Sequence, residues 1–131
     1  MLPGVLMSHD AAHQLVGERT LMRIYVGEGD RFGGQPLYRA IVDVLRRCGL
    51  AGATSLQCIM GFGATRSLHS LKSDVPALDL PIVIECVDTE EQVQSVLPEL
   101  DTMIPAGLIT LERAKVIAYR AHDLPQTPRE G

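Results

Sequence analysis

Apolar and polar residues alternate through Leu21-Met-Arg-Ile-Tyr-Val26, the period-two signature of a strand with one buried face. Glycines crowd the next stretch, Gly27 to Gly34, and predict a turn. Pro36 then stands where a first helical residue belongs. Leu37, Ile41, Val44, Leu45 and Cys48 fall on one helix face, and Gly49 follows as a C-cap. "TSLQCIMGF" (54–62) predicts a second strand, residues 63–79 a long polar loop, and "LPIVIECV" (80–87) a third strand. Asp88 or Thr89 can cap a second helix whose inner face is Val93, Val96, Leu97 and Leu100. Pro98 is expected to kink or end that helix. Residues 103–110 predict a turn region and 113–120 a last strand.

The order is β-α-β-β-α-β, so the predicted class is α+β. The expected fold is ferredoxin-like, an antiparallel four-stranded sheet with both helices on one face. The expected limits are a tail over 1–19, a folded unit over 20–121 that contains the 63–79 loop, and a tail over 122–131. Strand alternation places Met22, Ile24, Val26, Leu56, Met60, Val116 and Ala118 toward the helices. It leaves Arg23, Tyr25, Gln57, Ile59, Lys115, Ile117 and Tyr119 on the other face. That second set is too apolar for a freely solvated surface and too polar for a dry core. Subunit assembly through it is one reading, and an amphipathic solvent face the other.

Composition narrows the function classes. The chain has 131 residues, 46% of them apolar, with 4% aromatics and no Trp, so its core is aliphatic. A net charge of -4 argues against non-specific nucleic-acid binding, which needs a basic face. No apolar run approaches the ~20 residues of a membrane-spanning helix. The start of the chain lacks the basic region of a signal peptide, so a cytoplasmic location is expected. Cys48, Cys58 and Cys86 are widely spaced and odd in number. They read as small buried hydrophobes in a reducing compartment rather than a disulfide or metal site. His9 and His13 are four apart, but one such pair does not make a metal centre.

Two glycine turns are candidates for ligand chemistry. Gly27-Glu-Gly-Asp-Arg-Phe-Gly33-Gly34 fails the dinucleotide fingerprint, because Phe32 stands in the third glycine's place, and it lacks the Gly-Lys-Ser/Thr of a phosphate loop. It is expected only to turn the chain, with Glu28, Asp30 and Arg31 as a capping or salt-bridge cluster. Gly61-Phe62-Gly63 is the better candidate. It ends a strand and opens a long loop, its small residues let an anion approach backbone N–H groups, and Arg66, His69 and Lys72 can add positive charge. A mobile hairpin tip is the competing reading.

"GERTLMRIYVGEGDRFGGQPLYRAIVDVLRRCGLAGAT", "IMGFG", "LPIVIECVD" and "GLITLERAKVIAY" together resemble the PII-like proteins of the domain of unknown function 190 family, over about Gly17 to Ala121. The resemblance implies a ferredoxin-like homotrimer with ligand clefts between neighbouring subunits. It implies no required cofactor, but a bound adenine nucleotide (AMP, ADP, ATP or a cyclic form) or a similar small anion. Carried over by position, Gly61, Phe62, Gly63, Thr65, Arg66 and His69 belong to the loop base. Gly107, Leu108, Ile109 and Thr110 form a second turn across a subunit boundary. The long loop would dock on a protein partner such as a membrane transporter or channel. Leu108 stands where PII proteins carry a lysine, and Thr65 where they carry a glutamine. Both departures remove phosphate contacts and weigh against tight triphosphate binding. The implied role is regulatory, not enzymatic. A small enzyme using the cleft with His69 or Glu28 as acid or base, and a ligand-free adaptor, are the alternatives.

Overall fold

The computed structural model describes residues 15–62, 69–70 and 80–121. β1 (Gly17–Gly27) is the long central strand. A two-strand ribbon follows, β2 (Arg31–Phe32) and β3 (Gln35–Pro36), and leads directly into α1 (Leu37–Arg47). Next come β4 (Thr54–Gln57), β5 (Met60–Gly61), β6 (His69–Ser70), β7 (Pro81–Asp88), α2 (Glu90–Met103) and β8 (Leu108–Val116). The main sheet has the order β4-β7-β1-β8, and every neighbouring pair is antiparallel. With two helices on one face, this is the ferredoxin-like α+β fold.

β1 dictates the core. Met22, Ile24 and Val26 point to the helices with Ile82, Ile84 and Cys86 of β7, all buried. Leu37, Ile41, Val44 and Leu45 of α1 and Val93, Val96, Leu100 and Met103 of α2 close over them. Local signals end the helices as the residues require. Gly49 takes φ +87°, Leu50 N–H donates to Leu45 O at 3.1 Å and Gly49 N–H to Arg46 O at 3.1 Å, which is a Schellman motif. Thr89 Oγ1 accepts from Gln92 N–H at 3.2 Å and caps α2.

Four expectations are corrected. Pro98 does not end α2, which runs on to Met103. The carbonyl deprived of a donor is that of Gln94, and both residues are exposed, so water can satisfy it. The last strand starts at Leu108, inside the expected turn, and stops at Val116 instead of Arg120. Val116 pairs with Gly17, the first residue of β1, so the β1–β8 ladder ends there among the described residues. The second strand breaks after Gln57, and Met60–Gly61 turns to pair with His69–Ser70 inside the expected loop. Cys48 is exposed and Cys58 half-exposed, so only Cys86 behaves as a buried hydrophobe.

The edge strands also exchange faces relative to the sequence reading. Leu56 pairs with Val83, and Val116 with Gly17, so both lie on the open face with Arg23 and Tyr25. Gln57 opposite Ile82, and Lys115 opposite Glu18, lie toward the helix side. Met60 leaves the main sheet altogether and is exposed.

Asp88, only 7% exposed, ties the loop after α1 to the end of β7. Its Oδ2 accepts from Ala51 N–H at 2.8 Å and its Oδ1 from Thr89 N–H at 2.7 Å. Asp88→Ala strands both donors, so it should lower unfolding free energy by about 1–3 kcal/mol in urea titration, and Asp88→Asn by less. Burial pushes the Cys86 thiol up to about 12, with Asp88 adding to the shift. Iodoacetamide at pH 8 should therefore label Cys48 readily and reach Cys86 only after unfolding, a difference read by peptide mass spectrometry.

Candidate functional site

Both candidate glycine turns lie at the end of the sheet where β1 finishes. Gly61 sits in β5 against the start of β7, where an added Cβ would stand 2.9 Å from Pro81 Cγ. Phe62 follows it, 65% exposed. The calls at Gly63, Thr65, Arg66 and Lys72 lie outside the described residues, and His69 is described through its backbone pairing with Gly61. Gly107 closes the turn after α2, tight against β1. An added Cβ would lie 2.6 Å from Tyr25 O and 3.0 Å from Ile104 Cγ2. Leu108, Ile109 and Thr110 belong to β8 itself, with Leu108 exposed and Ile109 packed against the core.

The two turns share an end but not an edge. Gly61 continues from β4 at one edge of the sheet, and Gly107 leads into β8 at the other. Three strand spacings separate those edges, about 14 Å. Gly61 packs on Pro81 of β7 and Gly107 on Tyr25 of β1, so the two turns rest on different strands.

The first glycine turn does only turn the chain, through a ribbon. Gly33 and Gly34 at φ +58° and +84° form its two-residue tip, a conformation that disfavours side chains. Asp30 acts as a cap, its Oδ2 accepting from Gly27 N–H at 2.9 Å. Arg31 donates to Gly34 O at 2.8 Å. Glu28 N–H donates to Leu80 O at 2.7 Å, which places this turn beside the return of the long loop.

The open face of the sheet carries a charged group among apolar neighbours. Arg23 Nε donates to Glu85 Oε2 at 2.8 Å and Arg23 Nη1 to Glu112 Oε1 at 2.6 Å, so three strands are bridged. The Glu85 hydrogen bond and the two carboxylates hold the guanidinium more firmly protonated than usual. Next to this group, toward the start of β1, lies a cavity of about 480 Å³. Leu21, Thr54, Glu85, Val87, Val116 and the short Ala51-Gly-Ala53 segment line it. Sequence reasoning missed this cavity, because its walls come from all four strands of the sheet. The available signal was the run of small residues after Gly49, which leaves room above the sheet.

Among the described residues, no helix is long and apolar enough to cross a membrane, and no cluster of His, Cys, Asp or Glu is placed to hold a metal ion. The sequence profile of the DUF190 family, described as uncharacterized ACR, matches residues 19–116. A UPF0166 protein of Methanocaldococcus jannaschii is 39% identical over 92 residues, 70% of this chain and 84% of that protein. A UPF0166 protein of Aquifex aeolicus is 35% identical over 102 residues, 78% of this chain and 96% of its own length. Among solved structures, a PII-like signalling protein of Thermus thermophilus superposes with a TM-score of 0.59 at 20% identity, covering 77% of this chain and 91% of that one. CPII of Thiomonas intermedia, a nitrogen regulatory PII-like protein bound to ADP, AMP and bicarbonate, gives 0.55 at 18%, covering 76% and 88%. These likenesses establish the fold.

The Gly107 contact yields a direct test. Gly107→Ala must push backbone against backbone at Tyr25 and should cost about 1–3 kcal/mol of stability. Gly61→Ala meets only the ring of Pro81 and should cost less, and paired urea melts compare the two.

Proposed function

The chain belongs to the DUF190 family, and from that membership we propose that it is a PII-like regulatory protein. It assembles as a homotrimer, and an adenine nucleotide or similar small anion binds in the clefts between subunits. The observation that carries this reading is the split site. Gly61–Phe62 follows the β4 edge and Gly107–Thr110 opens the β8 edge at the same end of the sheet, an arrangement that suits a site completed by a neighbouring copy. The bound ADP, AMP and bicarbonate in the Thiomonas protein support the ligand class.

The cavity lies on the open face toward the other end of the sheet from the glycine turns. Glu85 in its wall is four residues along β7 from Pro81, which abuts Gly61. That is about 13 Å of strand. Ligand binding then changes what the 63–79 loop presents to a protein partner, which is the regulatory output. Leu108 in place of a cation keeps the phosphate end weakly charged and favours di- and monophosphates over a triphosphate.

Light scattering after gel filtration should give three times the 14.2 kDa of one chain. Thermal melts with AMP, ADP, ATP, cyclic AMP and bicarbonate should show a concentration-dependent rise for at least one. A ligand at a hundred times its Kd adds about 2.7 kcal/mol to the native state. A monomer whose melt is unmoved by every one of these would overturn the reading.

A further inference from the structure

Leu15 is buried, with 6% of its surface exposed, yet it is not part of the core beneath the helices. It stands instead in the wall of the open-face cavity, with Leu21, Val87, Val116 and Tyr119. Leu15 and Tyr119 fall on either side of the family's span of residues 19–116. The cavity floor is therefore family sheet, and its flanks at the Gly17/Val116 end are residues added to that span. The wall suits an apolar occupant. Glu85 is the one charged residue among the described residues of the lining, and Arg23 already holds its carboxylate at 2.8 Å. Few polar groups converge there to orient a small polar ligand.

The chain itself supplies an apolar segment at this spot. Residues 1–14 lead into the described structure at Leu15, on the cavity wall. They carry Leu2, Val5, Leu6 and Met7, and Asp10 is the one Asp, Glu, Lys or Arg among them. Leu6 is nine residues before Leu15, a reach of about 30 Å when extended. The four strands of the sheet are only about 14 Å across. Docking would take apolar surface of both segment and cavity out of water. The covalent link keeps the segment at a high effective concentration beside its seat. We infer that the N-terminal segment is an intrachain strap, with Val5, Leu6 and Met7 seated in the open-face cavity next to Leu15. This docking is independent of the ligand reading above.

The chain has no Trp, so Leu6→Trp in the full chain is a single fluorescent reporter. Its emission should be shifted to the blue of an exposed indole and protected from acrylamide quenching. Val116→Asp, added to the reporter, puts a charge in the cavity wall and should return the emission to that of exposed Trp. Lys115→Asp changes the neighbouring residue on the other face of β8 and should leave the blue shift in place. If Val116→Asp does not fold, Thr54→Lys replaces it, because Thr54 is exposed, lines the cavity and lies opposite Glu85. An exposed Trp in the reporter alone overturns the inference. So does a blue shift that survives the wall variants, or one that Lys115→Asp abolishes equally. Refolding the reporter carrying Val116→Asp with excess wild-type chain tests the source of the strap. No recovery of the blue shift is expected, and recovery would mean that the segment seats on a neighbouring copy, which overturns the intrachain strap.

Discussion

The register of β1 against its two neighbours is the constraint on which the rest of the structure depends. β1 pairs with β7 along Thr20–Gly27 and with β8 along Gly17–Tyr25. Side chains alternate across a strand, so a slip of one residue would exchange its two faces. Arg23 would then enter the aliphatic core, and Met22 or Ile24 would leave it. Burial of three large apolar side chains on one strand outweighs any local preference, since each is worth about 1.5–3 kcal/mol. The Arg23–Glu85 and Arg23–Glu112 pairs are partly exposed and contribute little energy by comparison, about 0–1 kcal/mol each. Their effect is on specificity, because they form only in the one register that puts all three side chains on the open face.

This division explains which parts of the fold were legible in the sequence. β1, β7, α1 and α2 each bury a face, so their own periodicity records their environment. Their ends carry local chemistry as well, Gly49 for one helix and Thr89 for the other. β4 and β8 are edge strands, and no residue of either is fully buried. Their facing is set by hydrogen bonding to β7 and β1, which leaves no pattern of its own. Glu112, Arg113 and Lys115 interrupt the alternation of β8, and Leu56 looks like a core residue until its pairing with Val83 is known. Pro98 misleads in the opposite way, since the cost of a helical proline depends on whether the orphaned carbonyl faces water.

The candidate site divides along the same line. A glycine turn is a local feature, and Gly61–Gly63 could be picked out from its own residues, whereas Gly107 entered as a ligand turn only through the family resemblance. Gly107 is required by a contact with the Tyr25 carbonyl, eighty-two positions away in sequence, which no local pattern contains. The cavity is less legible still. Its charged residue reads in the sequence as an ordinary polar position in the third strand, and only the sheet order brings Glu85 beside Thr54 and Leu21. The family resemblance supplied Gly107 as a ligand turn, but the Glu85 carboxylate on the open face is visible only in the assembled sheet.

The distribution of exposed apolar side chains bears on how copies would associate. A dimer made by stacking open faces would cover Leu21, Val83 and Val87 but leave both sheet edges to solvent. Yet the most exposed large hydrophobics are not in the middle of the face. Among the described residues, Ile59, Met60 and Phe62 extend beyond β4, while Leu108 begins β8 and Ile117 follows it. Among the described residues no strand pairs with the outer side of β4 or β8, and proteins ordinarily cover or blunt such edges. An arrangement that joins the β4 edge of one copy to the β8 edge of the next covers both sets at once. It is head-to-tail, so it has to close into a ring to leave no edge free.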